Sequence, residues 1–432
     1  DGNFRMSGFG TLGAVHTSTN DVYFNYPGQG GGAGTTPDMS PDSKLAVQGT
    51  YKFTPTISAT TQIMTRYDAN SQYIPTVDWA FAKWQALPAL SVRAGKMGAP
   101  FFMVSDFRNV GYANTTVRPN LDVYGQVPTD QFEGADATYQ YALGSTTINA
   151  TFYAGDSSAD YMSAFRSSGR ELGPSNFRLK KLKGLNLTAE MDNGLTLRAG
   201  YSKSKISLTS DSVNALLATG ATLSAVNAST PVIGAAYPAF NSIGAQITSS
   251  TTAALVTNDK DISFVGFGAT YDQDNWIISG EYTKRRSNSF IADTTGWYTN
   301  VGYRVGKFTP YLGFSKLSVN SANTTLTPVV APVLSGPGAA FNTTLATYAA
   351  QGNAGIQSVM NVEKLAQRTI TVGSRWDVLP NVALKAQWDQ IHKPADSWGL
   401  FFTKDPSAAT EQSFLNNRRK VNVLSVSMDF VF

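Results

Sequence analysis

From Lys44 to Thr54 apolar and polar residues alternate strictly: Leu45, Val47, Gly49, Tyr51 and Phe53 share one face, and Lys44, Ala46, Gln48, Thr50 and Lys52 share the other. That period of two is the signature of a strand with one apolar and one wet side. After Thr54-Pro55 the alternation restarts with Ile57, Ala59, Thr61, Ile63, Thr65 and Tyr67 against Ser58, Thr60, Gln62, Arg66 and Asp68. The two stretches therefore form a hairpin.

The same unit recurs. Tyr139, Tyr141 and Leu143 turn at Gly144-Ser145 into Ile148, Ala150 and Phe152, and Leu185 to Met191 turns at Asp192-Asn193-Gly194 into Leu195 to Tyr201. Further hairpins turn between Tyr271 and Trp276, at Gly306, and at Pro380-Asn381, with a less regular pair around Trp79/Phe81 and Leu90/Val92. Seven hairpins plus a first strand (3–17) and a last one (420–432) predict sixteen strands with both termini on one side. Short turns fall on the side of the termini. The long connections 18–42, 98–131, 156–181, 207–259, 318–365 and 393–418 fall on the other.

Composition decides what such a sheet is for. Charged residues are 15% of the chain, against about a quarter in soluble proteins, while no apolar run reaches the roughly 20 residues of a membrane helix. An aromatic, Gly-rich, charge-poor chain fits a lipid-facing barrel, in which only every second strand residue meets lipid. A soluble sandwich also alternates, but gives no two-sided bias in turn length. Aromatic residues gather where strands meet the short turns, at Tyr51, Phe53, Tyr271, Trp276, Tyr303, Phe308, Trp376, Phe430 and Phe432, as in an interfacial girdle. With no Cys there is no disulfide framework or thiolate metal site, and no metal or other cofactor is expected. The net charge of +4 is too small and dispersed to argue for nucleic acid. The chain opens directly on a strand-like pattern, which reads as a mature, processed form.

Four stretches carry a family resemblance. They are the ending Ser425 to Phe432 with its terminal Phe, the opening Phe4-Arg5-Met6-Ser7-Gly8-Phe9-Gly10, the run Leu90 to Lys96 followed by Ala99-Pro100-Phe101-Phe102, and Arg118 to Gln126. Over essentially its whole length the sequence resembles the trimeric porins of Gram-negative bacteria. The resemblance implies a single barrel domain (1–432), an outer-membrane location, a homotrimer, and a third loop, 98–131, folded into the pore as a constriction. The very long loops after strands nine and thirteen depart from the best-known general porins.

The expected function is passive diffusion of small hydrophilic solutes and ions. Inward positions place Arg5, Lys52, Arg66, Arg93, Arg198, Arg304, Arg375 and Lys385 among Asp68, Asp136, Glu190, Glu281, Asp377, Asp389 and Asp429. In a water-filled lumen such charges stay hydrated and orient polar solutes. The inward loop adds Asp106, Arg108, Arg118, Asp122, Tyr124 and Asp130, with Tyr112. These side chains either face the pore as an eyelet or lock the loop to the wall, and the sequence leaves both open. Lumen bases slightly exceed acids, which predicts a weak preference for anions.

Residues 212–258 and 317–362 carry no charge at all. Stretches such as Val213 to Leu217 and Thr344 to Ala350 can form short helices, giving a compact lid that favours neutral or partly apolar solutes; a substrate-specific channel for such molecules is the alternative function. A basic run, Arg178, Lys180, Lys181 and Lys183, at the end of the fourth loop offers a site for lipopolysaccharide phosphates, or a solvated rim. An enzyme barrel needs a His with a Ser or Asp in reach; the chain has only His16 and His392, near Ser18 and Asp389 in sequence. Gly8, Gly10 and Ala14 on the outward face of strand one suit close approach by a neighbouring barrel.

Overall fold

The computed structural model describes residues 2–432 apart from 168–169, 228, 230–233 and 322. Sixteen antiparallel strands close into one barrel. In chain order they are β1 Phe4–Thr17, β2 Lys44–Lys52, β3 Ile57–Arg66, β4 Thr76–Leu87, β5 Leu90–Gly98, β6 Gln131–Leu143, β7 Thr146–Tyr161 and β8 Ser175–Met191. Then follow β9 Leu195–Thr209, β10 Lys260–Gln273, β11 Trp276–Ser287, β12 Asp293–Tyr303, β13 Phe308–Ser321, β14 Gln367–Leu379, β15 Val382–Lys393 and β16 Arg419–Val431. The seven hairpins and their turns fall where the alternation places them. β1 closes the ring by pairing with β16 (Phe9 opposite Val431) and with β2 (Phe4 opposite Tyr51).

The alternation sorts each strand into two environments. On β16, Leu424, Val426 and Met428 face outward and are exposed, while Val423, Ser425, Ser427 and Asp429 face inward and are buried. The outward girdle is intact near the short turns: Trp276 meets Tyr303 edge-on at 4.8 Å, and Phe308 stacks on Trp376 at 5.5 Å. A closed barrel with an apolar outer band leaves no sheet edge in lipid.

Two sequence expectations change, and one irregularity of register is added. Gly8 and Gly10 do face outward, but the room above them is filled by the chain's own last residues: a Cβ at Gly8 would strike the ring of Phe432, and one at Gly10 the ring of Phe430. These glycines seat the seam of the barrel. The basic run Arg178 to Lys183 belongs to β8 and not to a loop, because β7 and β8 extend past the expected loop edges. A bulge between Gln62 and Ile63 in the β3–β4 pairing shifts the parity of β4, so Phe81 shares the inner face with Arg93, whose guanidinium lies 5.3 Å from its ring.

The two uncharged loops are helical. The fifth loop carries α2 (Asp211–Ser224) and α3 (Tyr237–Leu255), and the seventh carries α4 (Asn342–Asn361). Small residues let these helices touch closely: a Cβ on Gly244 would meet the backbone of Gly220 and Ser224. Their apolar faces bury Ile243, Ile247, Leu345 and Ile356 and rest on Leu179, Ile206 and Ile291 at the barrel's outer end. With so few charges available, apolar packing holds the lid together.

Candidate channel and its constriction

The third loop, between β5 and β6, runs inside the barrel and is tied to its wall on many sides. It leaves β5 under Arg198 of β9, which donates to the carbonyls of Pro100 and Phe101, and under Asn186 of β8, which donates to Pro100 at 2.9 Å. Glu281 of β11 accepts from the backbone N–H of Met103 at 2.6 Å and from the hydroxyls of Tyr124 at 2.5 Å and Tyr298 at 3.0 Å. Phe102 stacks on Tyr124 at 4.4 Å and meets Phe264 of β10 at 5.2 Å. Burial, with Glu281 next to it, pushes the Tyr124 hydroxyl well above its usual range, so it acts as a donor.

On the opposite side Arg375 of β14 donates to the carbonyls of Tyr112 (2.6 Å) and Asn114 (3.1 Å). Lys385 of β15 donates to those of Gly111 (2.7 Å) and Thr116 (3.0 Å) and pairs with Asp429 at 2.9 Å. Arg118 grips Asp42 of the first loop through two bonds of 2.8 and 2.6 Å and lies 3.4 Å from Asp389. Asp122, in the one-turn helix α1 (Leu121–Tyr124), accepts from Ser315 and Gln367, both at 2.6 Å. Gln126 follows, donating to Thr283 at 2.7 Å. The loop returns at Asp130, held by both arms of Arg66 at 2.8 and 3.2 Å.

The candidate residues thus fall into two groups. Arg118, Asp122, Tyr124, Asp130, Arg198, Arg375 and Lys385 are engaged in holding the loop, and nearly all are buried. Arg5, Lys52 and Asp106 are exposed and make no ion pair among the described residues, while Arg66 (39% exposed) and Arg93 (27%) each pair with one aspartate. Arg93 pairs with Asp136 at 2.5 Å. Arg108 lies between: its guanidinium sits over the rings of Tyr26, Phe102 and Tyr124, donates to the Tyr26 hydroxyl at 3.1 Å, and leaves Nε without a partner.

Sequence reasoning missed Lys83. It lies on the inner face of β4, opposite Ser58 and Arg93 in register, and its parity was hidden by the bulge. With it, Arg5, Lys52, Lys83 and Arg93 lie toward one end of β1, β2, β4 and β5 and form one basic wall, while Arg66 lies at the other end of β3, opposite Lys44. Asp42, Gln126 and Arg285 were also unmarked; Arg285 donates to the Gln126 carbonyl at 2.7 Å and pairs with Glu363 at 2.9 Å. Arg304 belongs to an exposed turn pairing with Asp272, not to the lumen.

Two kinds of open space flank the loop. A polar cavity of about 430 Å³, continuous with solvent, is lined by Lys44, Arg66, Asp68, Arg108, Asp130 and Asp160 among others. Two smaller apolar cavities of about 70 and 110 Å³ share Tyr161, Phe177, Glu363 and Leu365 and lie between the barrel wall, the loop and the lid. His392 and Asp389 occupy opposite faces of β15, and His16 faces outward opposite Leu424, so among the described residues neither His pairs with an acid.

The loop anchors differ in their response to pH. Although burial works against ionisation, Arg66 and Asn109 hold the Asp130 carboxyl below its usual range. At Asp122 burial dominates its three hydroxyl and amide donors and raises the carboxyl from 3.8 to about 6. The folded state then binds this proton more tightly than the unfolded chain, so the contribution of Asp122 to stability is greatest below pH 3.8 and falls as pH rises to about 6. Asp122→Asn removes the titration, its carbonyl still accepting from Gln367 and its new amide able to donate to the Ser315 hydroxyl oxygen. We expect the variant to gain on the wild type by up to about 3 kcal/mol between pH 4 and 7, measured as the difference in urea unfolding; a pH-independent difference would refute this.

No protein-family model matches the chain, and no curated protein matches its sequence. Solved structures do match in fold. A Salmonella typhi OmpF in complex with daunomycin aligns over 100% of this chain and 98% of its own, at 11% identity and a TM-score of 0.51. The outer-membrane channel DcaP of Acinetobacter baumannii aligns over 99% and 97%, at 10% identity and 0.51. An anion-selective porin from Comamonas acidovorans aligns over 99% of each chain, at 11% and 0.50. The chain therefore shares the fold of these outer-membrane channels, one closed barrel of sixteen antiparallel strands.

Proposed function

We propose that the chain is a passive diffusion channel for small hydrophilic solutes and ions with a weak preference for anions, and that it performs no catalysis. One observation carries the reading: among the described residues Arg5, Lys52 and Lys83, on one wall, are exposed lumen bases without an ion pair, opposed by the exposed Asp106 and Glu190. The residues 99–130 form the constriction, with Arg66, Arg108 and Asp130 at the polar cavity as its eyelet and the buried charges as its fixings. In the membrane we take the protein to be a homotrimer in contact with outer-leaflet lipopolysaccharide.

Reversal potentials across planar bilayers under a salt gradient test this reading. The anion preference should fade with salt, since the screening length is roughly 10 Å at 0.1 M and about 3 Å at 1 M, and Lys52→Glu with Lys83→Glu should turn it to a cation preference. Strong cation selectivity of the wild type at high salt would overturn the proposal.

A second reading, a channel that favours neutral or partly apolar solutes, draws on the apolar cavities beneath the uncharged lid. Inward positions of a water-filled barrel are ordinarily polar, yet Leu179, Leu182, Ile206 and Phe264 are buried on the inner side of β8 to β10. Current block by phenyl glucoside at concentrations where glucose has no effect favours this reading over the first.

A further inference from the structure

On the outer face of the last four strands, cations stand directly opposite one another. Lys316 of β13 is opposite Arg368 of β14, Arg368 is opposite His392 of β15, and His392 is opposite Lys420 of β16. They share the outward face with the exposed Phe314, Val372, Trp388 and Leu424 below them. Lys316, Arg368 and Lys420 are exposed, and none of the four meets an acidic side chain among the described residues; His392 contacts only Gln390, at 3.0 Å.

Like charges placed directly across a strand pair repel and cost stability. Three cations elsewhere on the rim do have acidic partners: Lys203 and Lys205 share Asp261 at 3.6 and 2.9 Å, and Lys180 meets Asp259 at 3.4 Å. The ladder on β13 to β16 has no such partner, and it begins where the lipid-facing apolar band ends. The counter-charge therefore comes from the headgroups of the outer leaflet. Three steps between strands of about 4.8 Å span about 14 Å, wider than a single phosphate. Trp297 lies opposite Lys316 in register and is partly exposed, an aromatic surface at headgroup height of the kind that meets sugar rings.

We propose that Lys316, Arg368, His392 and Lys420 form a docking site for a saccharolipid headgroup carrying two phosphates. This rests on the outer-membrane reading of the barrel but not on its selectivity, since the site lies outside the lumen. The test uses the full chain purified in detergent and titrated with bisphosphorylated lipid A, monophosphorylated lipid A or dioleoylphosphatidylglycerol, with bound copies counted by native mass spectrometry. The bisphosphorylated lipid should bind most tightly. Lys316→Gln, Arg368→Gln and Lys420→Gln combined should weaken it by about a hundredfold, while Lys180→Gln with Lys203→Gln should not. Single-channel conductance should be unchanged in both, which separates failure of the lipid site from failure of the channel reading. Equal binding of all three lipids by the wild type, or undiminished binding by the triple variant, would overturn the proposal. If the triple variant does not assemble, Arg368→Gln alone decides, with an expected loss of about fivefold.

Discussion

Replacing Arg118 by Ala should destabilise the protein by about 3–5 kcal/mol and release the third loop from the first. Arg118 is buried with Asp42 and Asp389, at 4%, 2% and 7% side-chain exposure, and donates besides to Ser425 at 2.6 Å. Truncation leaves two carboxylates in a site that water does not reach. Asp389 retains Thr371 and Gln387, but Asp42 loses both bonds of its fork. Arg118→Lys keeps the charge without the planar fork, so it should fall between the two. The expected signature is a lower urea midpoint together with larger, noisier single-channel currents, because a loop freed at Arg118 obstructs the lumen less. Wild-type midpoint and conductance in Arg118→Ala would show that the other anchors hold the loop alone.

The barrel was legible in the sequence because its cause is local. Alternation of period two assigns each strand its faces, and a polar turn resets it, so strand number and the position of each long loop follow without any long-range information. The inward loop's charges were legible as a set too, but their partners were not. Arg118 and Asp42 are separated by 76 residues and Arg118 and Asp389 by 271, and only closure of the ring brings them together. Parity fails where a bulge intervenes, which is why Lys83 went unmarked. The helices of the fifth and seventh loops were underestimated in length, and α3 was not anticipated. Their Ala, Ser, Thr and Gly give a faint apolar stripe, and their helicity depends on the close packing that those small residues permit.

Lys385→Met should cost about 3–5 kcal/mol, and most of that should return when Asp429→Asn is added. Lys385 and Asp429 form an ion pair with no solvent exposure at all, and Thr11 of β1 donates to Asp429 at 2.6 Å. Removing the ammonium strands the carboxylate and takes the donor from two loop carbonyls; neutralising Asp429 relieves the larger of these costs, while the Asn carbonyl still accepts from Thr11. The pair sits at the seam where β16 meets β1, and the loop reaches it at Gly111, where a Cβ would run into Asp429 and Thr11. Closing the ring and seating the loop therefore share one contact: the lysine that satisfies the seam aspartate also holds the loop backbone. A double-mutant cycle measured by urea unfolding should give a coupling of at least about 2 kcal/mol between the two positions. Additive losses would mean that seam and loop are stabilised separately, and that the constriction is added to a barrel already complete without it.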